Sequence, residues 1–80
     1  MNTEDLKRIV EEEGFIRRVY SIDGDYLDNQ LVLKKEGTVW AVFYYERGAR
    51  WNERLFNTED EACNNFLERL RRDRSARRGK

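Results

Sequence analysis

The chain of 80 residues has no histidine, no proline and a single cysteine. One cysteine cannot form an intrachain disulfide, and without histidine the chain lacks the usual zinc ligand sets and nucleophile–histidine pairs. Acid–base catalysis by histidine is also excluded. Because carboxylates would have to act alone, we expect a protein that is not an enzyme and that binds no metal and no cofactor.

Long apolar segments are missing as well. No apolar run approaches the roughly 20 residues that span a bilayer, and the first turn is polar and acidic. The sequence therefore predicts a soluble, cytoplasmic protein that does not engage membranes. Its length corresponds to one small domain, whose core seldom supplies more than ~3–5 kcal/mol of net stability.

Charge is unevenly divided along the chain, although the formal net charge is zero. Residues 1–70 carry ten basic and fifteen acidic side chains, whereas residues 71–80 carry six basic and one acidic. We expect a single α+β domain over residues 1–72 and a basic, disordered tail over residues 73–80, which has too few apolar residues to pack. An alternative is a nucleic-acid-binding or regulatory module that uses the basic residues of this end, Arg71, Arg72, Arg74, Arg77, Arg78 and Lys80.

Two segments have helical patterns. Near the start, apolar residues recur at helical spacing, Asn2 or Thr3 can cap the helix, and Gly14 can end it. In the second segment Thr58 and Glu61 form a capping box, followed by one apolar face that includes Cys63. A thiol in that position, with no histidine or cationic cluster beside it, is expected to be buried and inert.

The middle of the chain has the pattern of strands. An irregular apolar stretch over residues 15–22 is compatible with a short strand, and clear strands follow at 30–35, 39–46 and 50–56, joined by tight turns. The strand at 39–46 is apolar on both faces, which favours a central position. We therefore predict an α+β fold with an N-terminal helix, a three- to four-stranded antiparallel meander and a C-terminal helix packed on one sheet face.

Two places in this fold are candidates for contact with a partner. The first is a polar loop that contains Asp23, Asp25, Tyr26 and Asp28; turn chemistry explains its acids better than a calcium site does. The second is a hairpin tip, where Tyr45, Glu46 and Arg47 follow Tyr44 and where Trp51 on the next strand can extend the patch. Aromatic and arginine side chains of this kind dominate protein interfaces.

The segment from residue 40 to residue 67 resembles small bacterial proteins that act as immunity partners of polymorphic toxins. Those proteins share a Trp-x-Val-x-Tyr-Tyr strand with Glu-Arg-Gly, followed by a Phe-x-Thr-Glu-x-Glu-Ala-Cys-x-x-Phe-Leu helix start. The matching residues are Trp40, Val42, Tyr44, Tyr45, Glu46, Arg47, Gly48, Phe56, Thr58, Glu59, Glu61, Ala62, Cys63, Phe66 and Leu67. The resemblance implies a bacterial protein that binds and neutralises a cognate toxin, and the acidic body implies that this toxin is basic.

The order of elements is also similar to that of the double-stranded RNA-binding domain. That domain holds phosphates with lysines at the start of its last helix, whereas this chain has Thr58, Glu59, Asp60 and Glu61 there. Because these acids would repel phosphates, nucleic acid remains the less favoured partner, through the basic tail alone.

Overall fold

The computed structural model describes residues 1–73 and residue 76. The elements are helix α1 (Thr3–Glu12), a 3-10 turn (Arg17–Val19), strands β1 (Tyr20–Ile22), β2 (Gln30–Glu36), β3 (Val39–Glu46) and β4 (Ala49–Phe56), and helix α2 (Glu59–Arg72). The predicted α+β fold is confirmed: both helices lie on one face of a four-stranded, mostly antiparallel sheet. Within the described residues, no helix is long and apolar enough to cross a membrane.

Both helices begin as predicted. The Asp5 N–H donates to the Asn2 side chain at 2.8 Å, and the Glu61 N–H donates to the Thr58 hydroxyl at 3.2 Å. The Thr58 hydroxyl also donates to the Glu61 carboxylate at 3.1 Å, so the two side chains of the capping box bond to each other. Gly14, with φ of +79°, takes the left-handed conformation that ends α1.

The two helices run side by side in the same direction. At their N-terminal ends the Met1 amine contacts the Asp60 carboxylate at 2.5 Å, and the Thr3 N–H donates to Glu59 at 2.8 Å. At their C-terminal ends Arg71 pairs with Glu13. Parallel neighbouring helices place like ends of their dipoles together; Glu59 and Asp60 offset the positive ends, and Arg71 offsets the negative ends.

Strand β1 departs from the predicted antiparallel arrangement, because it pairs with β2 in parallel. A parallel connection normally needs a dozen or more residues, but β1 has only three residues and the chain returns over a short distance. Residues 23–29 make this return. The remaining strands form the expected antiparallel meander in the spatial order β1-β2-β3-β4, with β3 inside the sheet.

A β-bulge in β4 decides which apolar side chains of that strand are covered. The register shifts between Val42 and Tyr44, and Asn52 in this region has a φ of +55°. One extra residue reverses the inside–outside alternation. As a result Phe56 lies opposite Trp40 and packs on the main core, whereas Leu55 is 59% exposed on the other face.

The main core lies between the sheet and the two helices. Its largest fully buried side chains include Phe15, Phe66, Leu6 and Leu33. A second, smaller cluster forms around Val32, Ala41 and Phe43 on the opposite face. We call this opposite side the open face, and it determines what the sheet can present to a partner.

Candidate interaction surface

The open face carries three aromatic rings and one arginine in mutual contact. The Tyr26 ring meets Phe43 and Tyr45 edge to face, with centroids 5.4 and 4.8 Å apart, and the Arg50 guanidinium lies 4.1 Å from the centre of the Phe43 ring. We name Tyr26, Phe43, Tyr45 and Arg50 the open-face cluster. Phe43 is fully buried on this side because neighbouring side chains cover it.

Three different elements bring the cluster together. Phe43 and Tyr45 are two positions apart on β3, so they share a face. The two-residue turn at Arg47 and Gly48 places Arg50 directly opposite Tyr45. Tyr26 comes from the 23–29 loop, which crosses to the open side as it returns the chain from β1 to β2.

Hydrogen bonds hold the 23–29 loop in place. The buried Gln30 side chain accepts from the Leu27 N–H at 2.7 Å and donates to the Arg18 carbonyl at 3.0 Å. The Asn29 N–H donates to the Tyr45 carbonyl at 2.7 Å, and the Ser21 hydroxyl donates to the Asp25 carbonyl at 2.8 Å. The loop therefore presents Tyr26 in a defined position, which lowers the entropy lost when a partner binds.

Arg50 is the electrostatic centre of the open face. Its guanidinium donates to both carboxylate oxygens of Glu36, at 2.5 and 3.0 Å, and to Glu53 at 2.7 Å. Hydrogen bonding to Glu36 raises the pKa of Arg50, and the same contact lowers the pKa of Glu36. The network fixes a planar cation over the Phe43 ring, where it stacks on the aromatic face.

The loop that carries Tyr26 also carries exposed acidic and apolar side chains. Asp23, Asp25 and Asp28 are exposed there, together with Leu27, which is 73% exposed, and Asp25 and Leu27 line a cleft beside α1. Leu55 lies opposite Ala41 on the open face. Aromatic and apolar groups beside a polar rim are the composition of a protein interface.

The structure separates residues that the sequence grouped at the hairpin tip. Tyr45 lies on the open face, whereas Tyr44 pairs with Trp51 on the helix side of the sheet. Trp51 is 53% exposed there, and its indole N–H donates to the Glu46 carbonyl at 3.2 Å. Trp51 therefore cannot extend a patch centred on Tyr45, because the sheet lies between them.

Other predicted contact residues occupy turns. Glu46 is half-buried at the end of β3, and Arg47 is exposed with φ of +54°. The Asp23 carboxylate accepts a hydrogen bond from the Lys35 N–H at 3.3 Å. In residues 1–73 and 76, no group of three or more histidine, cysteine or acidic residues is arranged to hold a metal ion.

At the basic end, only part of the predicted set can be placed. Arg71 pairs with Glu13, and Arg72 pairs with Glu68 at 2.9 Å, both from the last turn of α2. The other four predicted residues, Arg74, Arg77, Arg78 and Lys80, lie outside the described residues. Ala76 is buried, and its carbonyl accepts from the Ile16 N–H at 2.6 Å, so the chain still contacts the body at residue 76.

Sequence reasoning did not include Arg50, Glu36 or Phe43 in the candidate site. Arg50 had a usable signal, because a two-residue turn at 47–48 sets residue 50 opposite residue 45. Phe43 shares its face with Tyr45 by simple alternation. Glu36 had no such signal, since its contact with Arg50 spans an intervening strand and depends on side-chain reach across the twisted sheet.

The chain was compared with protein-family models, curated proteins and solved structures, and none of the three comparisons finds a match.

Proposed function

We propose that this protein is a non-enzymatic binding module that docks a basic protein partner on the open face of its sheet. The observation that carries the proposal is the open-face cluster beside a loop with three exposed aspartates. Tyrosine and arginine supply much of the energy of protein interfaces, and they do so best when they are held rigidly.

Charge supports a basic partner. Residues 1–70 carry five more acidic than basic side chains, and Asp23, Asp25 and Asp28 place part of that excess on the loop that presents Tyr26. Arg50, the cation of the cluster, is already paired with Glu36 and Glu53. An approaching basic surface therefore meets aspartates that form no ion pair with the residues that the structure describes, which speeds association and disfavours acidic competitors.

The kind of module we propose is an immunity protein that binds and neutralises a bacterial toxin. The resemblance of residues 40–67 to such proteins supports this, and one of its residues, Tyr45, belongs to the open-face cluster. Neutralisation would then follow from a tight complex that occludes the toxin, with no chemistry on the side of this chain.

The test uses the products of the neighbouring genes, of which we expect one to be toxic when it is expressed alone. Growth is measured when that protein is expressed alone, with the wild-type chain, and with Tyr45→Ser or Trp51→Ser. We expect rescue by the wild type and by Trp51→Ser, because Trp51 lies on the other side of the sheet. Tyr45→Ser should weaken binding of the purified toxin about 30-fold, the effect of losing an interface hot spot.

Two further measurements sharpen the result. Association with the toxin should slow as salt rises, because its steering depends on Asp25 and Asp28. The double variant Glu46→Ala, Arg47→Ala should keep its cooperative melt and lose affinity if the hairpin tip also touches the partner. If the chain gives neither rescue nor binding, the immunity role is wrong; if Trp51→Ser and Tyr45→Ser lose binding equally, the open face is not the docking site.

A further inference from the structure

A cleft of about 510 Å³ lies on the helix side of the sheet, between edge strand β4 and helix α2. It is distinct from the open face, because Arg54 on β4 lies opposite Val42 of the main core. The α2 side is formed by residues three, four and seven positions apart, which share one helix face. The lining residues are Asn52, Glu53, Arg54, Asn65, Glu68, Arg69 and Arg72.

The acids and bases in this cleft are unevenly matched. Glu68 pairs with Arg72 at 2.9 Å, and Glu53 pairs with Arg50 at 2.7 Å. Arg54 and Arg69 have no carboxylate within 4.0 Å among the residues that the structure describes. Among the described residues, the two carboxylates of the cleft are therefore engaged by Arg50 and Arg72, while Arg54 and Arg69 form no ion pair.

The contacts of these two arginines leave donors available. Arg69 donates one hydrogen bond to the Val42 carbonyl at 3.3 Å, and Arg54 lies 5.9 Å from the centre of the Phe56 ring. A guanidinium carries five N–H donors, so most of the donors of both groups remain for a ligand. In the same cleft the Asn65 Oδ1 is buried with no hydrogen-bond partner in the described part of the chain; as an acceptor, it suits an N–H or O–H group of the ligand and not the oxyanion.

Arg69 occupies an unfavourable position for a cation. Burial lowers its pKa, and the like charges of Arg54 and Arg72 lower it further. A half-buried arginine held beside another unpaired arginine costs stability unless something supplies the missing negative charge. An anion between the two guanidinium groups would remove that cost.

We propose that this cleft binds the oxyanion group of a small ligand, a phosphate or a carboxylate, between Arg54 and Arg69. The planar fork of arginine matches two oxygens of either group, and such charge-assisted hydrogen bonds are among the strongest in proteins. The cleft is far larger than one oxyanion, so it has room for the rest of the ligand. Arg54 and Arg69 are not part of the open-face cluster, although Glu53 of the cleft lining pairs with Arg50 of that cluster.

The experiment measures the thermal midpoint of the full chain with inorganic phosphate, with acetate and with chloride at equal ionic strength and pH. We expect phosphate or acetate to raise the midpoint in a saturable way, since a ligand of the folded state stabilises it by mass action. The anion that acts identifies the group that the cleft takes. If neither anion raises the midpoint above that in chloride, the proposal is wrong.

Two variants separate the site from general salt effects. Arg54→Gln should weaken the response to the active anion about tenfold or more, while its midpoint in chloride stays at or above the wild-type value because repulsion on Arg69 is relieved. Arg8→Gln is the control, since Arg8 is an exposed arginine of α1 paired with Asp5. It should keep the full response. An undiminished response in Arg54→Gln would overturn the proposal.

Discussion

Arg50 of β4 and Glu36 of β2 form a bidentate ion pair although β3 lies between their strands. The pair spans three strands above the Phe43 ring, which Arg50 covers at 4.1 Å. Both side chains are about one third exposed, so water screens the pair and limits its contribution to stability. Its main effect is to hold the cation of the open-face cluster in one place.

This pair should make stability depend on acid pH. Arg50 holds the pKa of Glu36 below its ordinary value of 4.5. A carboxyl with a lower pKa in the folded state adds stability above its unfolded pKa and loses it as the pH falls through the folded pKa. We expect the midpoint difference between wild type and Glu36→Gln to be constant near neutral pH and to shrink below 4.5.

Circular-dichroism melts across the acid range check this prediction. Glu4→Gln is the matched control, because Glu4 is an exposed glutamate of α1 whose contact with Lys7 is 3.8 Å long. If the Glu36→Gln difference stays the same at low pH, the ion pair with Arg50 does not form in solution.

The two tryptophans should differ sharply in their contribution to stability. Trp40 packs against the main core, with the Lys35 ammonium 5.7 Å from its ring centre, whereas Trp51 is 53% exposed. Trp40→Ala should therefore cost ~3–5 kcal/mol, comparable to the whole stability of so small a domain. Trp51→Ala should cost less than about 1 kcal/mol.

Urea unfolding followed by circular dichroism measures both tryptophan variants, and Trp40→Phe provides a milder variant if Trp40→Ala does not fold. Similar losses at the two positions would mean that Trp51 is covered in solution.

Arg47 has a left-handed backbone conformation that asparagine adopts more readily than arginine does. Arg47 and Gly48 have φ values of +54° and +75°, as in a type I′ turn, where Asn-Gly is preferred. Arg47→Asn should raise the free energy of unfolding by ~0.5–1 kcal/mol, because asparagine tolerates the left-handed region better. Arg47→Val should lower it, since a β-branched residue fits there poorly. If valine proves as stable as asparagine in denaturant titrations, the turn has a different conformation.

Cys63 should be unreactive in the folded protein. The side chain is fully buried in α2, and burial raises the pKa of its thiol to about 11. Since thiolate is the reactive form, a water-soluble thiol reagent at mildly alkaline pH should react at least about tenfold more slowly with the native protein than with the urea-unfolded protein. Equal rates would show that this part of α2 opens readily.

Local sequence patterns were sufficient for much of the fold. Cap residues such as Asn2 and Thr58 marked the helix starts, and apolar strand patterns separated by tight turns marked the three antiparallel strands. These features depend on neighbours within about one turn or one strand, so they can be recognised in sequence. Tyr26 and Tyr45 were likewise recognisable as candidates from their local setting.

Only the tertiary structure determined the strand register and the path of the 23–29 loop, because both depend on pairing between residues that are far apart in the sequence. The extra residue near Asn52 places Phe56 against the core and Leu55 on the open face. Simple alternation counted from the turn at 47–48 would place each of them on the opposite face. Because β1 pairs with β2 in parallel, the 23–29 loop crosses to the open face, where the Tyr26 ring contacts the Phe43 ring. Register and loop path are set by packing across strands rather than along them, so the surface they build exists only in the folded chain.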